Sequence, residues 1–307
     1  MRICGLEKSY NVGLWRRRRF RALEPLHLDV PVGEVFGYIG PNGSGKTTTL
    51  KILMGLVMAD AGDASILGHP YRGDVWRQRA GYLPEQPYFY DYLTAREYLD
   101  YAGRLLGLER GLRRDRAHAL LSRLGLHKVA DQPLRRYSKG MQQRLGLAQA
   151  LLNDPEVVFL DEPMSGLDPL GRQLVHDLIQ SLRSQRKSVF FSTHILPDAE
   201  SLCDRVGLLR AGRLQSSGRL DEILDIDVSH LEVLVSGASS SFMEVAPTGV
   251  LDKRAVGDRW CLDVDENQLG RVIRAVEQDG GRVRSVRAQR LSLEEFFVRE
   301  LGDGPSS

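Results

Sequence analysis

Gly40-Pro41-Asn42-Gly43-Ser44-Gly45-Lys46-Thr47 is the stretch on which the fold turns. It fits the pattern GxxxxGK[ST], follows the apolar run Val35–Ile39, which reads as a short buried strand, and precedes Thr47–Gly55, which reads as a helix. Glycines let a backbone curl until successive N–H groups face one anion. The N-terminus of the following helix adds partial positive charge. Lys46 can reach the β and γ phosphates of a nucleotide, and the Thr47 hydroxyl is a ligand of the type Mg²⁺ takes.

Outward from this loop, strands and helices alternate to about Gly218. Val157–Leu160 is a second buried strand, and it ends in two carboxylates, Asp161 and Glu162. At the C-terminal edge of a parallel sheet Asp161 would lie beside the phosphate loop, where it could hold Mg²⁺ directly or through water. Glu162 could orient and polarise an attacking water. Leu170–Leu182 has helical periodicity and leads to another apolar run, Val189–Phe191, giving a right-handed crossover. Gly81–Leu83 is a further strand, before a loop with Pro84 and Pro87. From Leu93 to about Lys128 the pattern becomes helical, with Tyr98, Leu99, Tyr101, Leu105, Leu120, Leu121 and Leu124 at helical spacing.

Composition narrows the setting. The chain has 307 residues, 42% hydrophobic and 27% charged, the range of a folded domain with an appendage or of two domains. A net charge of +2 gives no reason to expect a nucleic-acid partner. Cys4, Cys203 and Cys261 are far apart and lack metal-ligand spacing, which fits a reducing compartment. No apolar run approaches the ~20 residues of a membrane span, so a membrane role would need another chain to supply one.

Between the two nucleotide segments lies Tyr137-Ser138-Lys139-Gly140-Met141-Gln142-Gln143-Arg144, which resembles the signature motif of ABC-type ATPases, usually written LSGGQ. Other matches follow in family order: Tyr10 resembles the aromatic that stacks on adenine, Gln86 the Q-loop, Ser165-Gly166-Leu167-Asp168 the D-loop and His194 the switch histidine. Lys139 and Met141 depart from the usual glycine and glutamine, and the variant is similar to signatures of an exporter branch that includes drug and ABCA-like ATPase subunits.

The resemblance covers about residues 1–218. It implies a P-loop NTPase cassette of the α/β class: a mainly parallel sheet flanked by helices, an antiparallel N-terminal β subdomain, and a helical insertion at about 91–152. It implies ATP and Mg²⁺ as cofactors, with Gly40, Pro41, Asn42, Gly43, Ser44, Gly45, Lys46, Thr47 and Thr48 on the phosphates, and Thr47, Asp161 and Gln86 toward the metal. Glu162, His194 and Gln86 would be catalytic. Ser138 and Gly140 would serve the nucleotide of a second copy in a head-to-tail dimer, with Asp168 linking the two sites. It further implies a transport ATPase, an exporter rather than an importer, docked to separately encoded transmembrane subunits on the cytoplasmic face of a membrane. The rival class is a non-transport ABC ATPase acting on nucleic acid or ribosomes; such chains generally carry two cassettes or long coiled coils.

A second unit, residues 219–307, reads as a small α+β domain: strands at His230–Val235 and Trp260–Val264, a helix Leu269–Gln278, a strand Arg282–Ala288 and a last helix Leu293–Leu301 capped by Ser292. Gly237–Ser241 reads as a loop and Gly302–Ser307 as a frayed tail. The unit resembles the accessory domain of the same exporter branch, implying a dimerising or regulatory role. The basic run Trp15–Phe20 reads either as a solvated extension of the first hairpin or as a contact for anionic headgroups or an acidic partner.

Overall fold

The computed structural model describes residues 1–12, 18–224, 230–239, 247–288 and 292–302. The chain forms two compact units, Met1–Leu220 and Asp221–Ser307.

The first unit is built on two sheets. In the six-stranded sheet, ordered β10-β9-β3-β8-β7-β6, the strands β3 (Val35–Ile39), β6 (Ala80–Leu83), β7 (Val157–Asp161), β8 (Ser188–Thr193) and β9 (Arg205–Arg210) run parallel, and β10 (Arg213–Arg219) adds an antiparallel edge. Every residue of β3, β7 and β8 is buried. Parallel strands are covered on both faces, which is why each of these three is centred on an apolar run in the sequence. The second sheet is antiparallel, β2-β1-β4-β5, with β1 (Arg2–Val12), β2 (Arg18–Asp29), β4 (Ala61–Ile66) and β5 (His69–Pro70). Trp76, Phe159, Phe36 and Phe190 fill one core; Phe36 and Phe190 stack at 5.3 Å, and Trp76 meets Phe159 edge-on at 6.3 Å.

The helices are α1 (Lys46–Leu53), α2 (Ala95–Leu105), α3 (Arg110–Arg123), α4 (Lys139–Leu151), α5 (Pro169–Ser184) and α6 (Leu196–Leu202). Thr94 opens α2 with a reciprocal capping box to Glu97. Here the structure corrects the sequence: α2 buries Ala95, Tyr98, Leu99, Ala102 and Gly103, while Tyr101 and Leu105 are 41% and 73% exposed. Small residues complete the buried face, so a pattern traced through large apolar side chains drifts off it.

A short helix, α7 (Leu220–Leu224), begins at the division between the units. The second unit is an antiparallel sheet of order β12-β13-β11-β14, from β11 (His230–Ser236), β12 (Val250–Val256), β13 (Arg259–Asp265) and β14 (Arg282–Ala288). It packs Val233, Val235, Leu262 and Val264 against Val272 and Val276 of α8 (Leu269–Gln278). Strand β12 has no counterpart in the sequence reading, because six of its seven residues are exposed and its apolar positions do not alternate. A register shift in β14 between the partners of Leu234 and Val235 explains the imperfect alternation there. Ser292 and Glu295 form reciprocal hydrogen bonds at the start of α9 (Leu293–Gly302). Residues 15–17 of the basic run, residues 240–241 of the loop and residues 303–307 of the tail lie outside the described residues.

Candidate active site

Strand register brings the sequence motifs together. Ile39 pairs with Thr193 and Asp161 with Ser192, so three strands end at one edge of the sheet. The loop 40–45 leaves β3 there, Glu162 follows β7, and His194 follows β8. Gly45 starts α1 at φ +109°, and a Cβ on it would sit 2.6 Å from the Ala22 carbonyl oxygen, so only glycine fits.

The Lys46 ammonium is buried, donating to the carbonyls of Gly40 (2.6 Å) and Pro41 (3.2 Å), with Glu162 Oε1 at 3.5 Å. The other Glu162 oxygen lies 2.9 Å from His194 Nδ1. Asp161 is fully buried; its Oδ1 accepts from Ser192 Oγ at 2.6 Å and Thr47 Oγ1 at 3.2 Å, while its Oδ2 has no hydrogen-bond partner. Ser44 Oγ, also buried, lacks one too. A buried, unpartnered carboxylate oxygen and a buried, unpartnered hydroxyl beside an anion-cradling loop are what a site built for a cation and a phosphate presents.

Burial raises the Asp161 carboxyl above its usual range, against the hydrogen bonds from Ser192 and Thr47. A carboxyl shifted this way favours its protonated form in the fold. Its contribution to stability is complete at low pH and is lost as pH rises through the raised pKa. A cation beside it reverses that loss.

Glu162 itself has φ +49°, in the left-handed region that costs a non-glycine residue about 1–3 kcal/mol. Three bonds fix it there: its N–H donates to Ser192 Oγ at 3.0 Å, and its carbonyl accepts from the Ser165 N–H at 3.0 Å and from the buried Gln143 amide at 3.2 Å.

A cleft of about 400 Å³ opens over these groups, within the span of small-molecule sites. Its lining includes Tyr10, Asn42 to Thr48, Glu162 and His194, as the sequence reading expected, together with Ser165 of the segment read as the D-loop, and also Phe20 and Glu85, which that reading missed. Phe20 pairs directly across the hairpin from Tyr10, giving the cleft a second aromatic. Its signal was an aromatic beside a basic run, with nothing to fix the hairpin register. Gln86 is exposed and does not line the cleft; its neighbour Glu85 does. Gly40, Pro41 and Asp161 are not in the lining: Gly40 and Asp161 are buried and Pro41 is exposed, and they meet the cleft through Lys46 and Thr47.

Ser138, Gly140 and Asp168 are absent from this lining. Ser138 caps α4 by accepting from the Met141 N–H at 3.2 Å, and Asp168 caps α5 by accepting from the Gly171 N–H at 2.9 Å. On another face, Tyr90, Tyr92 and Tyr101 line a shallow hollow of about 520 Å³ with Glu97, Asp100 and Arg104; Tyr88, 89% exposed, follows Gln86 in the same loop.

A phosphate loop at the β3–α1 turn, buried carboxylates at the end of β7 and a histidine after β8 define a nucleoside triphosphatase of the phosphate-loop class. The family model described as ABC transporter matches residues 23–165. An ABC transporter ATP-binding protein of Synechocystis, sll0415, is 44% identical over 298 residues, 96% of this chain and 83% of that one. The daunorubicin resistance ATP-binding protein DrrA3 of Streptomyces coeruleorubidus is 36% identical, covering 92% of each chain. The solved dimeric structure of a post-hydrolysis state of the cassette MJ0796, bound to ADP and Pi, matches with a TM-score of 0.65 at 26% identity, over 71% of this chain and 98% of that one. The chain belongs to the ATP-binding proteins of ABC transporters: it is an ATP-binding cassette with ATPase activity.

Proposed function

We propose that this chain powers an exporter, working as a head-to-tail homodimer on the cytoplasmic face of a membrane and docked to separately encoded transmembrane subunits. The observation that carries the reading is the split of its functional residues. Lys46, Glu162 and His194 line one cleft, with Asp161 buried behind Thr47, whereas the N-terminus of α4, at Ser138 and Gly140, is no part of that lining. Such a helix end is an anion site without an anion of its own, and a second copy's ATP supplies one. The solved structure of the cassette MJ0796 is dimeric, which agrees. The name of DrrA3, a drug-resistance protein, supports export.

In each site Lys46 and the loop N–H groups hold the β and γ phosphates, and Tyr10 with Phe20 bounds the base. The Glu162 carboxylate orients a water and takes its proton as the water oxygen attacks the γ phosphorus, releasing ADP and phosphate. His194, fixed by Glu162, faces the charge that grows on the γ-phosphate oxygens. Asp161 and Thr47 would hold Mg²⁺, which neutralises phosphate charge when bound. Gln86, outside the cleft here, would reach the metal only on a loop movement, and that movement would pass to the helices at 95–123. Asp168 would join the two sites across the dimer.

The Mg²⁺ assignment makes a thermal prediction. ATP with Mg²⁺ at a hundredfold above Kd stabilises by about 2.7 kcal/mol, roughly 5–10 °C for a unit of this size. ATP with EDTA gives a clearly smaller shift, measured by scanning calorimetry. Equal shifts would remove the metal from Asp161.

No helix of the described residues is long and apolar enough to cross a membrane. The tyrosine hollow beside the Gln86 loop supplies a docking surface for a permease loop: exposed aromatics rimmed by Glu97, Asp100 and Arg104 suit an amphipathic segment. The test is affinity purification from native membranes with the Glu162→Gln chain, ATP and Mg²⁺. A polytopic membrane protein is expected, and it is lost when Tyr88 and Tyr92 are changed to aspartate. Ribosomal proteins or RNA in its place would overturn the transport reading. The second unit, residues 219–307, would dimerise or regulate.

A further inference from the structure

The signature helix α4 reaches its own chain's hydrolytic carboxylate through a buried side chain. Gln143 is 1% exposed, and its amide donates at 3.2 Å to the carbonyl of Glu162, which also accepts from the Ser165 N–H at 3.0 Å; Gln143 is the donor that comes from α4. The Glu162 N–H is held on its other side by Ser192 Oγ. Peptide groups on both sides of a left-handed residue are thereby pinned, and left-handed geometry is not one that glutamate keeps unaided. With φ held at +49°, the Glu162 side chain points between Lys46 and His194.

The same helix grips the segment that follows. A Cβ on Gly140 would lie 3.3 Å from the Gly166 carbonyl oxygen and 3.4 Å from Leu167, and the Lys139 stem runs along Gly166. The start of α4 and residues 162–167 are thus in contact at several points along their length.

We infer that Gln143 is a positioning residue for Glu162: its amide transmits the placement of α4, whose N-terminus meets the partner's nucleotide, to the carboxylate that acts on the nucleotide of its own chain. This rests on the hydrolytic role proposed for Glu162. Each ATP then bears on two carboxylates, one beside it and one at the far site through α4 and Gln143. Hydrolysis in one site becomes sensitive to occupancy of the other with no contact between the two nucleotides.

The experiment uses the full-length chain under conditions that give the ATP-bound dimer. Gln143→Met keeps the length of the side chain and removes the donor. The expected kcat is roughly 10- to 100-fold lower, because a misplaced catalytic group loses about that much, while KM for ATP stays at the parental value. Gln143→Glu is the second variant. Its protonated carboxyl donates an O–H to the same carbonyl and its ionised form cannot, so its kcat relative to the parent rises as pH falls. In a Glu162→Gln background, measured in single turnover, Gln143→Met adds no further loss.

Parental kcat in Gln143→Met, a loss confined to KM, or an equal loss in the Glu162→Gln background would each overturn the role. If Gln143→Met does not fold, Gln143→Glu decides, and a ratio that stays flat with pH overturns it. Parental turnover in Glu162→Gln alone has a different meaning: the role of Glu162 has failed, and that of Gln143 falls with it.

Discussion

With Glu162 replaced by glutamine, ATP still binds and steady-state hydrolysis falls by about 10²–10⁴, the usual contribution of a positioned general base. Glutamine preserves the volume of the side chain and can keep a hydrogen bond to His194 Nδ1. It cannot take a proton from water at neutral pH. It also removes the negative charge 3.5 Å from Lys46, so the γ-phosphate meets a lysine with no competing anion. Both effects favour the bound state: entry is eased and exit through hydrolysis is blocked. The variant is therefore expected to elute as a dimer with ATP and Mg²⁺ and as a monomer with ADP, by size-exclusion chromatography with light scattering. Parental turnover would remove Glu162 from the chemistry. Lost turnover without a dimer would instead remove the head-to-tail arrangement.

Lys46→Ala is expected to act on binding. A charge-assisted hydrogen bond contributes about 1.5–3 kcal/mol, so ATP affinity drops roughly 10- to 150-fold by titration calorimetry. The structure adds a second consequence. Lys46 and Glu162 form a buried pair with side chains 6% and 9% exposed. Removing one member of such a pair strands the other charge, at a cost of about 3–5 kcal/mol. The single variant should melt well below the parent even without nucleotide. Lys46→Ala with Glu162→Gln leaves no stranded charge and should recover much of that loss, while still binding ATP weakly. Unchanged ATP affinity in Lys46→Ala would contradict the phosphate-loop assignment, and equal melting of the single and double variants would show that the pair does not interact.

What was legible in the sequence follows from how each feature is specified. The loop at 40–47 and the strands around it are local: burial on both faces of a parallel strand forces an apolar run, and the loop needs glycines at fixed spacing. The meeting of Lys46, Asp161 and His194 was inferable because the ends of parallel strands share one edge. Pairings that depend on register were not. Phe20 stands opposite Tyr10 in the unbroken register from Ser9 to Val12, whereas the register shifts three times between Ile3 and Ser9, so no single offset could be carried along the hairpin. Glu85 rather than Gln86 faces the cleft because of the path of a loop with no periodicity. Gln143 resembled any polar residue of a signature motif, and only its burial shows that its amide has a single destination.

Ser192 has one hydroxyl proton, and it is committed. The oxygen takes the Glu162 N–H and must send its own hydrogen to Asp161 Oδ1, where Thr47 also donates. The direction of this short relay is thereby set, and Oδ1 is saturated. Any proton that Asp161 gains must go to Oδ2, the one oxygen left for a cation. Acid and metal are therefore rivals for a single atom, and mild acidification should loosen a bound cation well before it disturbs the loop that holds the phosphates.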